Sequence, residues 1–87
     1  MFASILVHPR VAERHPEIQN EDAVAAWNNA IVVQNRTYSP PDIYAAAGSD
    51  NKGRLLELVG IELEDGSLLI YHAMRLTKKM RHELGLQ

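Results

Sequence analysis

Four histidines stand in an 87-residue chain that has no cysteine, so the first chemistry to weigh is that of imidazole. His8, His15, His72 and His82 show no pair at the i,i+4 helical spacing typical of zinc sites, and thiolate ligation is impossible. No metal site and no cofactor is expected. Imidazole titrates near neutrality, so proton transfer remains open to these residues. His72 is the leading candidate, because it falls at the end of the last expected strand, three residues before Arg75. Strict alternation puts it on the face of Leu68 and Ile70, which leaves a half-buried core histidine as the other reading.

Glu57 lies between Leu55 and Val59 on one face of a long expected strand. A carboxylate there needs a partner, because an unpaired buried charge is costly. An ion pair with Arg54, Arg75 or a histidine meets that need. A partly desolvated Glu at a cleft edge would also suit a general base. Arg14-His15, just before Pro16, is either a solvent-facing pair or part of a site. Lys78, Lys79 and Arg81 form either a solvated helix face or, with Arg75, an anion site. Tyr71 is expected on the face opposite His72 as a packing residue, and Trp27 as core or as a partner-contact anchor. No phosphate-binding glycine loop, nucleophile elbow or dinucleotide fingerprint is present, which sets those enzyme classes aside.

The net charge of −2 does not suggest a dedicated nucleic-acid binder, yet the charge is uneven. Residues 1–49 hold three Lys/Arg against five Asp/Glu, whereas the last seventeen residues hold four cations against Glu83 alone. An anionic ligand would therefore meet the C-terminal end. At 46% hydrophobic and 23% charged, the composition is that of a globular fold, and residues 1–87 fit one domain. No apolar run is long enough to span a membrane, and the short apolar opening before His8-Pro9-Arg10 is expected to be a strand rather than a signal peptide. Without cysteine, a reducing cytoplasm is the natural compartment.

These residues must be positioned by an α+β fold. Phe2–Val7 reads as a strand, and Val11 to His15 as a short helix opened by Pro9. Asn20 is expected to cap a second helix carrying Ala23, Val24 and Trp27 at helical spacing. Strands are expected at Ile31 to Arg36, at Ile43–Ala47 with Gly48 ending it, at Arg54–Leu63 and at Ser67–Ala73. Apolar residues on both faces of Arg54–Leu63 predict a central strand, and Asp65-Gly66 predicts a tight hairpin. Thr77 should cap a last helix that carries Met80 and Leu84 and ends at Gly85. The sum is a mostly antiparallel meander packed with two N-terminal helices and a short C-terminal one.

Several segments, in order, resemble the BrnT family of toxin ribonucleases, which share the RelE-like architecture. They are Arg14-His15 ahead of Glu21-Asp22-Ala23, Ile31-Val32-Val33, Ile43-Tyr44-Ala45-Ala46-Ala47-Gly48, Lys52-Gly53-Arg54-Leu55-Leu56, and Ile70-Tyr71-His72-Ala73-Met74-Arg75-Leu76-Thr77. Pro16, His72 and Met74 depart from the family's glycine, serine and arginine. The resemblance implies metal-independent RNA cleavage, with His72 or His15 drawing the proton from a ribose 2′-hydroxyl and the other imidazole protonating the leaving oxygen. It implies that Arg75, with Arg14 or Arg54, stabilises the developing charge. Lys52, Arg54, Lys78, Lys79 and Arg81 are the cations expected to bind RNA. A ribbon-helix-helix antitoxin is the implied partner, in a hetero-oligomer or beside a homodimer. The competing expectation is a non-catalytic binding or adaptor domain on the same fold.

Overall fold

Turn chemistry and apolar spacing account for most of the elements. A computed structural model describes residues 2–37 and 39–86. In chain order it contains β1 (Ile5–Val7), α1 (Arg10–Arg14), α2 (Asn20–Asn28), β2 (Ala30–Asn35), β3 (Ile43–Ser49), β4 (Leu55–Glu62), β5 (Leu68–Arg75) and α3 (Lys78–Glu83). The five strands form one sheet in the order β1-β5-β4-β3-β2. Neighbours run antiparallel except β1, which lies parallel to β5 from Ile5 opposite Leu68 to Val7 opposite Ile70. The expected α+β meander is therefore the fold. Among the described residues, no helix is long and apolar enough to cross a membrane.

The β4–β5 hairpin closes through Gly66 at φ +87°, where only glycine is unstrained, and the Leu63 N–H donates to the Ser67 carbonyl at 2.7 Å. β4 is central, as its two apolar faces require. Leu56 and Leu58 pack with Leu68, Ile70 and Ala73 against Val11 of α1, against Ile18, and against Ala23, Ala26 and Trp27 of α2. On the other side, Val59 joins Ala45 and Ala47 beneath Met80 of α3 and Leu84, its C-cap.

Three local expectations are corrected. Asn20 does not cap α2; Gln19 does, because the Asp22 carboxylate turns back to accept the Gln19 N–H at 2.9 Å. Gly48 does not end β3, which runs on to Ser49. Its missing side chain admits the Ala26 carbonyl of α2, so the glycine serves helix–sheet contact rather than chain reversal. β1 covers only Ile5–Val7, since Phe2 leaves the ladder and sets its ring edge-on to Trp27 and Tyr44 at centroid distances of 5.9 and 5.4 Å.

A buried ionic cluster ties the β3–β4 turn to α2. Asp50 Oδ1 accepts the backbone N–H groups of Lys52 and Arg54, while Asp50 Oδ2 binds Arg54 Nε at 2.8 Å. Arg54 also reaches Asp22 at 3.0 Å and the Glu17 carbonyl, and Lys52 meets Asp22 at 3.1 Å. Burial pushes both carboxyls up, but the surrounding donors and cations outweigh it and hold Asp22 and Asp50 below the ordinary value of 3.8. A carboxyl depressed in the folded state adds stability above its unfolded pKa and loses it as pH falls through the lower folded value. The melting temperature should therefore hold level from neutrality to about pH 4 and drop steeply below it. In Asp22→Asn the drop should be shallower; an unchanged acid limb in that variant would remove Asp22 from the account.

Candidate active site

The geometry of the site begins with a defect in the sheet. Val59 of β4 pairs with His72 of β5, but the next residue, Gly60, pairs with Ile70, so Tyr71 is an extra, bulged residue. Alternation before the bulge places Leu68 and Ile70 towards α1 and α2. After it the phase is reversed: Ala73 joins that core, and His72 shares the opposite face with Glu57 and Val59. The expectation that His72 lies on the Leu68–Ile70 face is thus overturned by a single inserted residue.

Glu57 and His72 face one another across β4 and β5. His72 Nε2 lies 2.8 Å from Glu57 Oε2, with the Glu57 side chain almost wholly buried and that of His72 31% exposed. Glu57 Oε1 accepts both the Thr77 N–H at 2.8 Å and the Thr77 hydroxyl at 2.6 Å. Burial raises the Glu57 carboxyl, yet the Thr77 hydroxyl, His72 and the Thr77 N–H more than offset it and leave its pKa lowered. Glu57 is consequently an anion with acceptors only. That fixes His72, which must donate from Nε2 and in its neutral form keeps Nδ1 as the ring's acceptor. The need for a Glu57 partner is met by the histidine and not by Arg54 or Arg75.

This pair forms one wall of a cleft of about 320 Å³. Tyr71, Val59 and Met80 also line it, and four cations surround it: Arg10 and Arg14 from α1, Arg36 following β2, and Lys79 from α3. Glu83 of α3 takes Arg36 in a two-pronged bond of 2.6 and 2.7 Å, which holds Arg36 raised and the Glu83 carboxyl lowered. Arg10 and Arg14 have no side-chain partner among the described residues. They stand at i,i+4 on one short helix, where like charges repel by a few tenths of a kcal/mol. An anion between them would relieve that repulsion.

The other expected site residues lie elsewhere. His15 ends α1 and contacts Glu17 at 3.8 Å, outside the cleft lining. Arg75, in register with Leu56, is exposed and does not line the cleft. Lys52 and Arg54 are committed to Asp22 and Asp50, and Lys78 and Arg81 do not line the cleft. Of the expected residues the cleft gathers His72, Glu57, Arg14 and Lys79. It adds Arg10, Arg36, Thr77 and Glu83, which were not expected as site residues. The Arg10–Arg14 spacing was a usable signal; Arg36 and Glu83 meet only through the tertiary fold. Among the described residues, no three His, Cys, Asp or Glu side chains gather as a metal site requires. Comparisons with protein-family models, curated proteins and solved structures gave no match.

Proposed function

We propose that the chain is the toxin component of a toxin–antitoxin pair and cleaves RNA by acid–base chemistry in this cleft. The observation that carries the reading is His72, held by an ionised Glu57 in a wall shared with Arg10, Arg14 and Lys79. In this reading His72 Nδ1 takes the proton of a ribose 2′-hydroxyl, and the 2′-oxygen bonds to the adjacent phosphorus. The bond to the 5′-oxygen breaks, leaving a cyclic 2′,3′-phosphate. Among the described residues His72 is the one imidazole lining the cleft, so the same ring returns the proton to the departing 5′-oxygen. Arg10, Arg14 and Lys79 stabilise the charge that builds on the phosphate, where fixed cations act without reorganisation. An antitoxin of the ribbon-helix-helix class would silence the protein by covering these cations.

The deciding experiment incubates the purified, antitoxin-free protein with RNA in the presence of a chelator. Cleavage with cyclic phosphate ends is expected, and Arg10→Ala and Arg14→Ala should each slow it by about tenfold or more. RNA that binds but stays intact would make the protein a binding domain. RNA that neither binds nor is cut would end the nucleic-acid reading altogether.

A further inference from the structure

Thr77 stands at a junction whose arrangement neither the fold nor the cleft by itself requires. It is the N-cap of α3, and its hydroxyl oxygen accepts the Met80 N–H at 3.2 Å. With a lone pair so engaged, the hydroxyl proton is free to go to Glu57 Oε1, to which the Thr77 backbone N–H also donates. Both donors converge on one oxygen, and the second oxygen is left to His72.

We infer that Thr77 is a positioning residue for His72: by donating twice to Oε1 it fixes the Glu57 carboxylate with its second oxygen turned to the imidazole, and so holds in place the acceptor that keeps the His72 proton on Nε2. The inference deepens the proposed ribonuclease reading, and for its chemical consequence it rests on that reading. Two donors on Oε1 require an acceptor there whatever the side chain's charge. A carboxylate satisfies them with either oxygen, and its other oxygen accepts from His72 Nε2. An amide satisfies them only with its carbonyl, which forces its NH2 group onto His72. The cations nearest this relay by cleft membership are Arg10 and Arg14 from α1, Arg36 after β2 and Lys79 from α3. Among the described residues none of these four cations bonds to Glu57, so the orientation of its carboxylate falls to Thr77.

Glu57→Gln, nearly isosteric, tests this in the full-length chain. Two-bond proton–nitrogen NMR on the neutral His72 ring should find the proton on Nε2 in the wild type and on Nδ1 in Glu57→Gln. Adding Thr77→Val to Glu57→Gln removes the hydroxyl donor and should give a mixture of tautomers, whereas adding Thr77→Ser should restore the Nδ1–H form. A Glu57→Gln protein that keeps the proton on Nε2 overturns the inference without reference to the double variants. So does a Thr77→Val double variant that folds and still holds Nδ1–H alone. Cleavage by Glu57→Gln should fall by about 10,000-fold, as where a carboxylate orienting a catalytic histidine is turned into an amide. If the wild type leaves RNA uncut, the ribonuclease reading fails, and the tautomer measurement still decides the role of Thr77.

Discussion

Replacing His72 with alanine is expected to slow RNA cleavage by about 100- to 10,000-fold, the usual range for loss of a positioned proton-transfer group. The expectation follows from the cleft's composition: among the described residues, no second imidazole lines it. The loss should appear in kcat more than in KM, because Arg10, Arg14 and Lys79 remain to hold the phosphate backbone. Folding should survive at a lower melting temperature, since Glu57 keeps both of its Thr77 bonds but loses the partner of its second oxygen. Single-turnover cleavage beside a thermal melt checks both halves. A variant that folds and cuts within threefold of the wild type would remove His72 from the mechanism. His15→Ala and Arg75→Ala, outside the cleft, should change the rate by less than the Arg14→Ala variant does.

The second large effect concerns the scaffold. Gly48→Ala should destabilise the protein by about 3 kcal/mol or more, because the new methyl group would overlap the Ala26 carbonyl and come within 3.0 Å of Ala30 Cα. Both obstacles are backbone, so no side-chain rotation relieves them, and α2 must lift from the sheet. For a domain of this size such a loss lowers the melting temperature by roughly 12 °C or more. Gly53→Ala gives the contrast: it meets no atom within 4 Å and suffers only the strain of φ +79°, about 1–2 kcal/mol. Equal melting temperatures for the two variants would mean that α2 does not rest on Gly48 as described.

The two effects differ in how far they could be foreseen from the chain alone. The Asp65-Gly66 hairpin, the Thr77 cap, the central strand with apolar groups on both faces and the close of α3 at Gly85 are local in origin. Each depends on residues within a few positions, which is why periodicity and turn chemistry reveal them. The uneven charge pointed to the C-terminal end, but of its four cations only Lys79 lines the cleft, and Arg10, Arg14 and Arg36 come from residues 1–49. Gly48 was legible as a glycine but not in its role, since the atom it accommodates belongs to Ala26, twenty-two residues earlier.

The site divides in the same way. From its sequence this protein could be known to carry His72 and Glu57 on neighbouring strands of an α+β meander, near a basic helix. Whether they meet was decided by the bulge at Tyr71, which turns His72 from the Leu68–Ile70 face to the Glu57 face. A bulge reflects how two strands accommodate each other's twist and packing, so one strand's sequence does not specify it. The same holds for the cations: Arg54 and Arg75 resembled site residues by order, but long-range pairing bound one to Asp50 and Asp22 and left the other outside the cleft. Arg10 and Arg36 were brought in by the packing of α1 against β5 and by the bond to Glu83. Residue types along the chain set the chemistry available to this protein, and contacts between distant segments determined which of those residues share one cleft.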